Sequence, residues 1–148
     1  MMISMITYRD SERLDYEEYV DFLKRTDLGS QYPRQNFENR IPVVLKNVDI
    51  CITARNNDGL LVGICFGLTD FAYFLFLTDL GVDRAYVKQG IGKTLVKMAH
   101  DKAGGEDDIT ITTISNDKAL GFYESCDMRN KDDLVVKYCR EWEDFVVT

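Results

Sequence analysis

Apolar and polar positions along this chain alternate in two rhythms, and the switches between them mark out short elements. Ile3 to Tyr8 reads as a first strand. From Asp10 to about Arg25, Tyr16, Val20 and Leu23 recur at helical spacing, with Asp15, Glu18 and Asp21 on the other side. A second helical stretch carries Phe37, Ile41 and Leu45; Pro42 lies inside it, which predicts two short pieces or a start at the proline. The apolar runs Val48–Ala54 and Leu60–Leu68 flank Asn56-Asn57-Asp58-Gly59, a hairpin signal. Phe71–Val82 is a long aromatic strand, and Gly90 to about Ala103 is a helix with Ile91, Leu95, Met98 and Ala99 on one face. Ile109–Ile114 alternates as a strand. Asn116 to Cys126 is a helix, and Leu134–Tyr138 and Phe145–Val147 read as terminal strands.

This order predicts an α/β (α+β) domain whose mixed, largely antiparallel sheet is covered by helices. No repeat, low-complexity tract or Gly/Ser-rich spacer divides the chain, so residues 1–148 are expected to form one domain. A chain of this length can bury roughly 70% of its unfolded surface. No apolar run approaches the ~20 residues of a membrane span, and the N-terminus lacks a signal-peptide pattern. The single histidine, His100, excludes multi-histidine metal sites, and the four cysteines are scattered without a CxxC, so no metal is expected. Free thiols at Cys51, Cys65, Cys126 and Cys139 fit a reducing cytoplasm. A net charge of −7 argues against nucleic acid.

The chemistry concentrates between Thr78 and Thr94, where a strand and a short loop lead into a glycine-bearing helix start. Free backbone N–H groups and the positive end of a helix dipole converge there, and glycine lets a phosphate approach closely. A P-loop would need a glycine where Val87 stands, and a dinucleotide fingerprint would need one at Leu95, so neither fits. Val82 followed by Gly90-x-Gly92 fits a third pattern, a strand ending in V-x-P and then [Q/R]-x-x-G-x-[G/A] opening a helix. Downstream, Asn116, Ala119, Phe122, Tyr123 and Met128 match N-x-x-A-x-x-F-Y-x-x-x-G-[FM].

On these two motifs and their spacing the chain resembles the GNAT N-acetyltransferase superfamily. The resemblance implies the GNAT fold, a twisted, mostly antiparallel sheet of six to seven strands flanked by about four helices. It also implies direct attack of an amine on acetyl-coenzyme A in a ternary complex. Three positions depart from the pattern: Arg84 at the usual proline, Val87 at the usual Gln/Arg, and Asp127 at a glycine.

The resemblance assigns roles residue by residue. Gly81 would mark a strand bulge, beside which the main-chain groups of Leu80 and Val82 would bond the pantetheine arm and polarise the thioester carbonyl. Val87, Lys88, Gln89, Gly90, Ile91, Gly92 and Lys93 would cradle the pyrophosphate, mainly by main-chain N–H groups. Tyr123 would be the general acid, and Asn116, a helix cap, would add a contact to the coenzyme. The base is not fixed by the motifs; Asp79 is the first candidate and Asp70 the second. His100 reads as a surface residue. In the family the first two helices build much of the acceptor site, and here they carry Asp15, Glu17, Glu18 and Asp21, which points to a small cationic amine. The expected partner is that small molecule, with no membrane and with a monomer or homodimer as the assembly. The competing reading is a non-catalytic acyl-coenzyme A sensor, motivated by Val87 and Asp127. Arg84–Lys102 carries a net charge of +4, leaving −11 for the rest of the chain, so the global acidity conceals a cationic segment at the phosphate loop.

Overall fold

The structure is a computed structural model describing residues 5–28, 32–139 and 145–148. After β1 (Thr7–Arg9) come α1 (Tyr16–Lys24) and α2 (Phe37–Asn47), then β2 (Ile50–Arg55), β3 (Leu61–Thr69) and β4 (Phe74–Val82). A short 3-10 turn, Arg84–Tyr86, leads to α3 (Ile91–Ala103), β5 (Thr110–Thr113) and α4 (Asp117–Ser125). The strands lie in sequence order in one sheet, antiparallel except for the parallel β4–β5 pair. That single parallel pair needs a crossover, and α3 supplies it.

The sheet is buried on both faces. Tyr19, Phe22, Leu23, Ile41 and Leu45 from α1 and α2 cover Ile64 and Phe66 on one side. Leu95, Val96 and Ala99 of α3 cover Ile52, Val62, Cys65, Leu75 and Leu77 on the other. The hairpin between β2 and β3 turns as its residues demand. Asn56 Oδ1 accepts the N–H groups of Asp58 and Leu60, and Gly59 takes φ 83°.

Several expectations are corrected. The described residues form five strands, not six or seven. Residues 134–138 are irregular and exposed, with Val135 95% exposed, so this apolar run buries too little to hold a strand. Residues 145–147 are irregular too; Phe145 instead packs edge-on against Phe37 and Val147 is buried. The first strand is shorter than predicted, and positions 3 and 4 lie outside the described residues. Pro42 breaks nothing: α2 runs through it unbroken, its Phe37, Ile41 and Leu45 stripe buried on the sheet. The packing of that stripe outweighs the one backbone bond that proline removes. β4 starts at Phe74 rather than Phe71, because Phe71 sits at φ 58° in a turn.

Candidate active site

One extra residue organises the site. Leu77 pairs with Gly67 and Asp79 with Phe66, so Thr78 between them has no partner on β3. Such a bulge re-aims the side chains beyond it. Leu75 and Leu77 point into the α3 side of the core, and a regular strand would send Asp79 after them. Leu80 and Val82 take that face instead. Asp79 and Gly81 turn to the α1–α2 face, where Tyr32 bonds the one and Leu28 covers the other. The bulge therefore lies three residues before Gly81, where the sequence reading placed it. A Cβ on Gly81 would come within 2.2 Å of Leu28 Cδ1, so the close approach there comes from a side chain of the protein itself.

Beyond the bulge the sheet forks. β4 pairs with β5 only from Phe74 to Leu77, where Thr113 Oγ1 closes the pairing on the Leu77 carbonyl at 2.9 Å. The second half of β4 keeps β3 alone. Asp83 N–H donates to the Val62 carbonyl on β3 at 2.8 Å. By the alternation of an extended backbone, the N–H groups of Leu80 and Val82 then point the other way, to the open edge.

The α3 loop lies beside that edge. Asp83 starts the 3-10 turn by accepting the Ala85 N–H at 2.9 Å and holds Arg25 with its other oxygen. Lys88 (φ 64°) and Gly90 (φ 81°) turn the chain into α3. The first intrahelical bond runs from Thr94 N–H to the Gly90 carbonyl, so the N–H groups of Gly90, Ile91, Gly92 and Lys93 have no partner within the helix. Val87, Lys88, Gln89 and Gly90 are exposed, and a Cβ on Gly90 would meet nothing within 4 Å. Ile91 is anchored in the core, leaving its backbone alone to face the loop. Gly92 lets the Phe122 ring of α4 pack at 3.0 Å from where its Cβ would be. Lys88 and Lys93 make no ion pair among the described residues. Arg84 is committed to Asp27 and the Thr26 carbonyl, Lys97 to Asp101, and Lys102 lies 4.0 Å from the Asp10 carboxylate. The cationic segment thus offers two lysines, not five basic residues.

On α4, Asn116 caps the helix by accepting Ala119 N–H at 2.9 Å. Tyr123 is half-buried at the fork, beside Thr113; burial pushes its phenol pKa up, which keeps the proton on. Asp127 takes the left-handed φ of 64° that a glycine would take. Its N–H bonds the Glu124 carbonyl and Met128 N–H bonds the Tyr123 carbonyl, a complete Schellman closure. That departure from the family pattern leaves the turn intact.

Asp79 lines a cavity of about 370 Å³ between α2 and the bulge. It is 5% exposed. Tyr32 Oη donates to Oδ1, Thr78 Oγ1 donates to Oδ2 at 2.8 Å, and the Tyr19 hydroxyl pairs with that of Tyr32 at 2.8 Å. Burial raises the Asp79 pKa, and the two hydroxyls partly oppose the rise by stabilising the carboxylate. The nearby Asp79 charge adds a lesser rise to the Tyr123 pKa. The remaining walls are mostly apolar, with Phe37, Ile41, Val44 and Leu68 among them.

Other candidates fall away from this centre. Asp70 is exposed at the far end of the β3–β4 hairpin, where its carboxylate accepts the N–H groups of Ala72, Tyr73 and Phe74; these bonds lower its pKa. It builds a turn. His100 is half-buried, its Nε2 2.7 Å from the Ile109 carbonyl. On α1, Asp15 caps the helix, Glu18 pairs with Arg55 and Asp21 with Arg25, and none of these acids, nor Glu17, lines the cavity. Sequence reasoning missed Tyr32, Thr78 and Arg40, all of which line it. Only Arg40 left a trace, standing three residues after Phe37 and four before Val44, at the margin of the apolar stripe of α2.

The fold as a whole is similar to that of acetyltransferases of known structure. A GNAT family acetyltransferase from Streptococcus pneumoniae is 22% identical over 94% of this chain and 100% of its own, with a TM-score of 0.71. An acetyltransferase from Trypanosoma brucei is 18% identical, covering 90% of this chain and 99% of its own, TM-score 0.65. An aminoglycoside acetyltransferase from an uncultured soil metagenomic sample, solved with sisomicin, is 18% identical over 92% and 96%, TM-score 0.65. No curated protein sequence matches the chain. Residues 11–128 match the acetyltransferase (GNAT) family, and the chain belongs to that family.

Proposed function

We propose that this protein transfers an acetyl group from acetyl-coenzyme A to the nitrogen of a small primary amine, with both bound at once. The observation that carries the reading is the buried Asp79 carboxylate, turned by the Thr78 bulge into a cavity beside the β4–β5 fork. Acetyl-coenzyme A, when bound, supplies an activated acetyl thioester and leaves as the free thiol. The free N–H groups at the start of α3, with Lys88 and Lys93, suit its phosphates. The N–H groups of Leu80 and Val82 donate to the thioester oxygen as negative charge grows there.

Asp79 receives the amine. As a carboxylate it attracts the ammonium form, while the apolar walls lower the ammonium pKa. The bound ammonium first loses one proton to solvent; the neutral nitrogen then attacks the carbonyl carbon, the N–C bond forms and the C–S bond breaks. The second proton, lost by nitrogen after attack, passes to Asp79, and the Tyr123 hydroxyl gives its proton to sulfur. Solvent restores both groups. Tyr32 and Thr78 are positioning residues, fixing the carboxylate through one oxygen each. The acceptor is an amine that is cationic in water and carries an apolar body. Four free cysteines among the described residues fit a cytoplasmic location.

The test is thiol release from acetyl-coenzyme A across a panel of primary amines. Acetylation of at least one panel member, with kcat/KM rising with pH as Asp79 ionises, is expected. Tight coenzyme A binding without turnover on any amine would instead favour the sensor reading.

A further inference from the structure

Resting on that reading of the Asp79 cavity, we infer that the acceptor is bipolar, bearing an anionic group that Arg40 holds at the end away from its amine. The cavity has two charged lining residues, Asp79 and Arg40. They are opposite in sign, yet they do not pair with each other. Both Asp79 oxygens are taken by the hydroxyls of Tyr32 and Thr78. The Arg40 side chain has no hydrogen bond or ion pair among the described residues, although most other arginines here are committed: Arg9, Arg25, Arg55 and Arg84 to carboxylates, Arg13 to carbonyls and Arg34 to the Phe145 ring. The rest of the lining is mostly apolar, with Phe37, Ile41 and Val44 in it.

A cavity lined by a carboxylate, an unpaired guanidinium and mostly apolar side chains complements an amine joined by a short hydrocarbon spacer to a carboxylate or similar planar anion. Arg40 can meet such a group with two parallel N–H bonds, which a lysine could not do. It is exposed, so the attraction is partly screened and acts on selection more than on total affinity. Its role is specificity; the proton chemistry stays with Asp79.

The experiment compares γ-aminobutyrate and ε-aminocaproate, each with its own carboxamide, which keeps the shape and removes the charge. In wild type the acid is expected to exceed the amide in kcat/KM by about tenfold for the better spacer, an advantage that shrinks as salt is raised. Arg40→Gln should bring the ratio close to one. Arg40→Glu should turn the preference toward a diamine of matching length. A wild-type ratio near one, or an unchanged ratio in Arg40→Gln, overturns the inference. Thermal stabilisation by the same pairs carries the test independently of turnover. A larger shift from the acid, abolished in Arg40→Gln, sustains the bipolar site even if no amine is acetylated and the transferase reading fails; equal shifts overturn it.

Discussion

The α3 loop and the Asp79 cavity face the same fork but are built from different materials. The loop is contiguous, seven residues from Val87 to Lys93, and what it presents is backbone: N–H groups left open by a helix start. The cavity gathers side chains from the segment at Tyr32, from α2, from β3 and from the bulge in β4, and what it presents is a carboxylate, an apolar wall and a guanidinium. A backbone site tolerates changes of side chain. A side-chain site depends on each group and on the register that aims it. The two regions should therefore answer mutation differently.

The largest effect belongs to the cavity. Asp79→Asn removes the proton acceptor while keeping the size, and should lower kcat by about 10³-fold, within the usual range for a positioned base. Stability should move the other way. Burial raises the folded pKa of Asp79 above its unfolded value, so its contribution is fully present below the unfolded pKa and lost as pH rises through the folded pKa. At neutral pH the fold bears a buried charge that asparagine lacks. The variant should melt at the same temperature or higher, and its melting point should vary less with pH between 4 and 7. A melting point lowered along with kcat would make Asp79 a structural residue.

Tyr123→Phe comes next. It removes the phenol that faces both Thr113 and the fork, leaving the ring packed edge-on against Phe122 at 5.2 Å. A loss of about 10²-fold in kcat is expected, with coenzyme A binding nearly unchanged. The loss should be smallest for a thioester whose thiol is more acidic than coenzyme A, because a better leaving group needs less help. Equal losses for both thioesters would leave Tyr123 as packing.

Sequence legibility followed the same division. The α3 loop could be read because its glycines, its lysines and the strand before it are neighbours in the chain. Asp79 could be named but not aimed. Period-two alternation places it with Leu75 and Leu77, and only pairing with Phe66 and Gly67 on β3 reveals that Thr78 drops out of register. Gly81 invited a bulge for a sound reason, but the residue that crowds it, Leu28, lies over fifty positions away. The α1 acids looked like an acceptor surface because the sequence cannot show that Arg55 and Arg25 already hold Glu18 and Asp21. The terminal apolar segment 134–138 has a strand's composition, but the sheet ends at β5 without it.

A smaller effect is expected where backbone alone is at stake. Asp127 closes α4 at φ 64°, a conformation that costs an L-residue roughly 1 kcal/mol and glycine almost nothing. Its side chain is exposed. Asp127→Gly should raise stability by about 0.5–1 kcal/mol, a few degrees in Tm, with kcat and KM unchanged. A fall in Tm would mean that the aspartate carboxylate matters more to the helix end than its backbone strain.

The smallest effect tests the backbone character of the α3 loop most directly. Val87 stands where the family usually has Gln or Arg, and it is 50% exposed. If the phosphates are held by N–H groups, the missing side chain costs little, and restoring it with Val87→Arg adds one solvent-exposed ion pair. Such pairs contribute about 0.2–1 kcal/mol, so coenzyme A should bind at most about fivefold more tightly, and the gain should vanish in high salt. The comparison breaks if Val87→Arg tightens binding a hundredfold. A gain of that size could come only from a site in which side-chain charge, not the open helix start, does most of the holding, and the loop would then be as dependent on its side chains as the Asp79 cavity.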